Sequence, residues 1–207
     1  MHNQSHTQRL DAECMNPSEL YQCRHCSRLV DYLQQTQQDY PEYHCKPVAA
    51  FGEPDSRLLI VGLAPGKHGA NASGRPFTGD ASGDLLFQTL YQSGFASQSR
   101  SQHSNDRMKL IDCRITNAVK CLPPDNRPIA EEINNCNPYL VDEISQLNNK
   151  SIILALGAVA HKSVLKALDL KLSLYPFAHA AEFPLKDGKT LVAVSYTHLT
   201  LPTTRLV

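Results

Sequence analysis

Residues 62–83 read GLAPGKHGANASGRPFTGDASG, directly after the apolar run RLLIVGL. A strand, a glycine-rich loop and a lysine suggest a phosphate cradle. Such a cradle needs GxxxxGK followed by Ser or Thr, whose hydroxyl holds magnesium. Here three residues separate Gly62 from Gly66, and His68 follows Lys67, so the hydroxyl is absent. The loop also runs about eighteen residues before the next helical pattern, too far for a phosphate to sit on that helix N-terminus. The dinucleotide pattern GxGxxG is missing as well. Glycines and Pro65 could simply shape a turn, but long ordered loops in compact domains are usually functional. The loop is therefore read as holding something other than a nucleoside triphosphate.

Other residues in and near the loop could do chemistry. Asp80 could act as a carboxylate, yet it also fits an N-cap for a helix starting at Ala81. Asn117 stands near the end of an apolar run, where its amide can both donate and accept. Phe77, taken alone, reads as a core phenylalanine. Lys67, His68 and Arg75 are of the types that meet phosphate.

The seven cysteines are an odd count, with one CxxC pair at Cys23 and Cys26. With no export signal in the polar N-terminus, a disulfide framework is disfavoured. Cys121 and Cys136 lie far downstream, with fourteen residues between them. That spacing is neither a ferredoxin run nor a two-CxxC zinc ribbon. It leaves a chance pair, zinc and iron all open.

The elements that must position these residues alternate. Apolar runs at 55–63, 113–119, 151–157 and 189–196 read as strands. Asn16-Pro17-Ser18-Glu19 opens a helix carrying CRHCSRLVDYLQQ and ending before Pro41. Further helices are read over 81–91, capped at Gly94, over 130–147 with a kink or restart at Pro138, and over the segment AVAHKSVLKAL. The fold class expected is α/β: a three-layer α/β/α sandwich with a four-stranded parallel central sheet. In such sheets ligands bind beyond the carboxyl ends of the strands. Loops 62–80 and 117–128, and whatever follows Tyr196, should face one site.

The totals narrow the classes. The chain has 207 residues, enough for one domain with a substantial core. Lys plus Arg equals Asp plus Glu at 20 each, so no broad basic face shows in the sum. No apolar run reaches membrane-spanning length. No membrane association is expected, and the cytoplasm is the expected compartment.

Taken together, GLAPGKHGAN, SGRPFTGD, ITNAVKCLPPDN and NCNPYL, with CRHCSRLV upstream, closely resemble the family 5 uracil-DNA glycosylases, iron–sulfur members of the uracil-DNA glycosylase superfamily. The resemblance runs from about Glu13 to Tyr196. It implies a DNA-repair enzyme that removes uracil, and other deaminated bases, from DNA, acting as a monomer. It implies that Gly62, Leu63, Ala64, Pro65 and Gly66 surround an extruded base, that Phe77 stacks on it and that Asn117 reads its edge. Asp80 and Asn117 are the implied catalytic residues. Ala64 stands where related families place a polar residue that positions water. The resemblance also assigns Cys23, Cys26, Cys121 and Cys136 to one structural 4Fe–4S cluster, supporting a DNA-contacting loop at PPDNRP. Cys14, Cys45 and Cys113 are read as non-ligands.

The match breaks after the fourth strand. The family's third motif begins SYH, and its histidine contacts the base oxygen. This chain reads VSYTHLTLPTTRLV, with Thr197 in that place and His198 one residue late. One residue in a strand reverses the side-chain direction. The tail SYTHLTLPTT also resembles translated sequencing-adapter peptide. The expected organisation is a loose leader over 1–15, a glycosylase-like domain over 16–196 and a non-native tail over 197–207. A non-catalytic nucleic-acid-binding iron–sulfur protein of the same fold is the alternative, favoured by the missing histidine and opposed by the intact FTGD and ITN.

Overall fold

The computed structural model describes residues 17–195. Five strands form one sheet: β1 (Leu58–Gly62), β2 (Cys113–Asn117), β3 (Ile152–Leu156), β4 (Ala181–Pro184) and β5 (Thr190–Val194), in the order β2-β1-β3-β5-β4. The neighbours β1–β2, β1–β3 and β3–β5 are parallel. The expected four-stranded parallel sheet thus carries a fifth strand. β4 pairs antiparallel with β5, at the edge. Its sequence AEFP is half polar and ends in proline, which an edge strand tolerates.

The helices are α1 (Pro17–Gln22), α2 (Ser27–Asp39), α3 (Ala70–Ser73), α4 (Ala81–Gln92), α5 (Ala130–Ser145) and α6 (Ala158–Ala167). α5 and α6 cover one face of the sheet, where Leu140, Ile144, Val164 and Leu165 pack on Leu59, Val61 and Ile153. α4 covers the other, setting Leu86, Phe87 and Leu90 against Ile60 and Ile115. A third cluster joins Leu29 and Leu33 of α2 to Val119, Leu122 and Cys136. Both sheet faces are dry, which is why β1 is apolar at every position.

Two expected helices differ. The first is broken: α1 ends at Gln22 and α2 begins at Ser27, so CRHC sits in the connection rather than on a helix. α5, in contrast, runs unbroken through Pro138. The packing of its Leu140 and Ile144 face outweighs the one hydrogen bond a proline forfeits. Gly94 does follow α4 with φ +79°, and Phe95 N–H donates back to the Leu90 carbonyl. Among the described residues no helix is long and apolar enough to cross a membrane.

Candidate active site

The chain leaves β1 for β2 on one side and later places β3 on the other, so the strand order reverses at β1. A crevice opens at such a point. Here it is a cavity of about 490 Å³ at the carboxyl ends of β1, β2 and β3. Gly62, Leu63, Ala64 and Gly66 line it from the first loop, Phe77, Asp80 and Ser82 from the approach to α4, and Asn117 from the end of β2. Pro65 is buried beside them but does not line the cavity.

Glycine is required where these groups meet. Gly62 and Asn117 are paired in the β1–β2 register. A Cβ on Gly62 would run into the Asn117 amide oxygen and come within 2.6 Å of the Phe77 ring. Phe77 adopts φ +54°, an uncommon conformation for a bulky residue that needs outside support. Gly83 supplies it: the first turn of α4 sits so close to the Phe77 carbonyl that no side chain fits at position 83. Phe77 packs with Ile60 and Leu156, 9% exposed.

Asp80 is the N-cap of α4, as its position suggested. Its Oδ1 accepts from the Gly83 N–H at 2.9 Å and the Ser82 hydroxyl at 2.5 Å. Its Oδ2 is 3.4 Å from where a Cβ on Gly66 would lie, and a Cβ on Gly69 would collide with it. One oxygen is thus committed to the cap, while the other faces the loop that borders the cavity. Asn117 is 3% exposed and lies inside. A flat, polar-edged ring could stack on Phe77, meet the Asn117 amide and present its outer bond toward the half-buried Asp80.

Three cationic side chains were candidates for phosphate contacts. Arg75 is excluded: it is 7% exposed, its Nη1 donates to Asp106 at 2.6 Å and Ser101 at 2.9 Å, and its Nη2 donates to the Ser104 carbonyl. It also lies on the Phe51 ring, 4.4 Å from the centroid. Lys67 and His68 sit outward on the cavity loop. Lys67 Nζ stands 5.0 Å over the Tyr40 ring, and His68 Nδ1 is 2.9 Å from the Tyr43 hydroxyl.

Residues 156–160 also line the cavity, as does Asn126. The strand-end rule applied to β3 would have found the first group. Asn126 belongs to the turn Pro124–Asn126, within the loop expected to face the site. His161, next along α6, is buried; its Nε2–H donates to the Tyr175 carbonyl at 2.8 Å. His179 Nδ1 accepts from Ser195 N–H at 3.1 Å, at the end of β5. Neither lines the cavity. Thr197, His198 and Cys14 lie outside the described residues.

The four expected metal-ligating cysteines do come together. Cys23, Cys26, Cys121 and Cys136 line one small recess with Leu29 and Val30. Lys120 N–H donates to Cys136 Sγ at 3.2 Å, and Asn135 Nδ2–H points to Cys26 Sγ at 3.6 Å. Burial pushes the Cys136 thiol up to about 11, against the opposing Lys120 N–H bond, and pushes Cys121 well above the usual thiol range. Among the described residues no three His, Cys, Asp or Glu side chains are close enough, as placed, to hold an ion. The donor set nevertheless suits a soft metal centre: four sulfurs, an apolar wall and N–H groups aimed at sulfur. Cys113 is buried in β2 and Cys45 takes an N–H from Asn71, both outside this recess.

Comparison with known proteins decides the lineage. The family model described as the uracil DNA glycosylase superfamily matches residues 49–204. The chain belongs to the uracil DNA glycosylase superfamily. It is 39% identical over 177 residues to a type-5 uracil-DNA glycosylase of Thermus thermophilus, covering 83% of this chain and 80% of that one. A type-5 enzyme of Pyrobaculum aerophilum is 39% identical over 153 residues, covering 72% and 67%. A type-4 uracil-DNA glycosylase of Archaeoglobus fulgidus is more distant, 30% identical over 154 residues. Within the superfamily chain, the cavity described above is where the strand ends, the carboxylate and the amide converge.

Proposed function

We propose that this chain is a monofunctional DNA glycosylase that hydrolyses the N-glycosidic bond of uracil in DNA. One observation carries the reading. Phe77 and Asp80, from the approach to α4, and Asn117, from the end of β2, meet beside Gly62 and Gly66 in one cavity. The type-5 relatives bear the same activity in their names.

Duplex stacking hides the bond to be broken, so the nucleotide must be extruded into the cavity. The base lies on Phe77, and the buried Asn117 amide bonds its edge. As the bond between C1′ and the base nitrogen breaks, its electron pair leaves with the base and the sugar gains oxocarbenium character. The Asp80 carboxylate stabilises that cation or orients the water that attacks C1′. Water supplies the new hydroxyl at C1′ and a proton, leaving free base and an abasic site. Lys67 and His68, on the outer part of the same loop, are placed to meet the DNA backbone. The small side chains Ala64, Ala158 and Ala160 leave room for other deaminated bases.

A 4Fe–4S cluster would be held by Cys23, Cys26, Cys121 and Cys136, where it would supply a structural cross-link. Those four residues would then tie the α1–α2 connection to the segment after β2, through Cys121, and to α5, through Cys136. The compartment and oligomeric state belong to the same proposal: a monomer acting on DNA in the cytoplasm.

The test is a labelled oligonucleotide with one uracil, incubated with the protein and then heated in alkali. Strand scission that depends on uracil supports the reading. Retarded migration without scission would identify a non-catalytic binder instead.

A further inference from the structure

The loop Pro123–Pro128 carries a conformation that costs energy. Asp125 and Asn126 have φ of +53° and +55°, so two consecutive non-glycine residues are left-handed. Asn and Asp bear this better than other side chains, but glycine bears it without penalty. Strain of this kind persists only where surroundings enforce it. Here Pro123, Pro124 and Pro128 stiffen the flanks, and Arg28 of α2 clamps the exit. Arg28 Nε and Nη2 donate to the two oxygens of Glu132 at 2.7 and 2.8 Å, and Nη2 also donates to the Arg127 carbonyl at 3.2 Å. Glu132, 2% exposed, also accepts from Ile129 N–H at 2.9 Å. A bidentate pair with a buried carboxylate is geometrically specific.

The strained residue at the end of this clamp lines the cavity. Asn126 is exposed, at the mouth, whereas Asn117 is buried inside. We infer that Asn126 contacts the extruded nucleotide, giving the base a second amide partner where its edge crosses the rim, and that Arg28 and Glu132 are positioning residues for it. The neutral carboxamide, one donor group and one acceptor, complements the lactam edge of a deaminated base. Neighbouring Arg127 is the group suited to phosphate. A purely conformational role would be served at least as well by glycine, so the side chain itself needs an explanation, and the cavity supplies one.

The inference rests on the glycosylase reading, and the experiment separates their failures. Asn126→Gly keeps the left-handed backbone and removes only the amide. Three quantities are measured: the midpoint of thermal unfolding, the single-turnover rate of uracil release at saturating enzyme, and the affinity for the same duplex with thymine in place of uracil. The expected result is an unchanged or raised unfolding midpoint, a rate about tenfold lower and a thymine-duplex affinity within about twofold of wild type. A wild-type rate in the variant overturns the inference, as does an equal loss of thymine-duplex affinity, which would mark a backbone contact. A lowered midpoint accompanying the lost rate also overturns it. In an Arg28→Lys background the Asn126→Gly effect should shrink to less than about twofold; undiminished effects would remove Arg28 from the positioning role. If the wild-type protein itself releases no uracil, the glycosylase reading has failed instead.

Discussion

The amide oxygen of Asn117 occupies the space that a side chain at Gly62 would need, across a parallel pair in which the two residues are register partners. The Phe77 ring closes on the same spot. Three groups of the proposed site therefore share one missing methyl. Gly62→Ala should lower uracil release about a hundredfold, the scale of a misplaced reacting group. Overpacking should cost roughly 1–3 kcal/mol of stability. A variant with wild-type kinetics would show that Asn117 and Phe77 are not held as described.

Asp80 joins a structural and a chemical task on different oxygens. Asparagine caps a helix about as well as aspartate. Asp80→Asn should therefore unfold within about 0.5 kcal/mol of wild type in a urea titration, while single-turnover release falls on the order of a hundredfold or more. Asp80→Ala should lose both. Retained cleavage in the asparagine variant would leave Asp80 as a cap alone.

Asp106 gives the fold an acid limit. Burial would raise its pKa, but the Arg75 guanidinium and the Met108 and Gln102 N–H groups hold the carboxyl well below the usual carboxylate range. The folded value lies below the unfolded one, near about 3.9. The carboxylate's contribution is thus complete above about pH 5 and is lost as the pH falls from there through the depressed value. Asp106→Asn should be less stable at neutral pH, by about 3–5 kcal/mol if Arg75 is left unpaired. Its stability should also fall less steeply below about pH 4. Denaturant titrations at several pH values check both signs.

The cysteine recess makes a compositional prediction. Protein purified anaerobically should be brown and contain iron with acid-labile sulfide. Cys136→Ala should lose both and unfold at lower temperature. Colourless protein with zinc bound to four thiolates would replace the cluster with a zinc site.

Much of this was legible in the residues. The apolar runs at 55–63, 113–119 and 151–157 announced strands buried on both faces, and each proved a strand shorter by a few residues at its ends. β4 was missed because AEFP, with two exposed positions and a proline, carries no buried-strand pattern. The break between α1 and α2 was missed because CRHCSRLV continues a helical spacing. The break places Cys23 and Cys26 in a recess with Cys121 and Cys136, a tertiary arrangement that no local propensity records. Asp80 and Asn117 were visible from their positions at a helix start and a strand end. Asn126 was not, because its distinction is a left-handed backbone conformation beside an Arg127 carbonyl held by Arg28, from a segment almost a hundred residues earlier.

Among the described residues, the antiparallel pair of named strands joins β4 to β5, neither of which lines the cavity. Every other strand pairing is parallel and must close a long loop before its first bond forms. The β4–β5 hairpin, which can assemble quickly, lines none of the cavity and reaches it only through Val194, whose carbonyl accepts from the Gly157 N–H. Refolding should be slow for a chain of this size, and catalytic competence should return last, with no partly folded species able to hold the base.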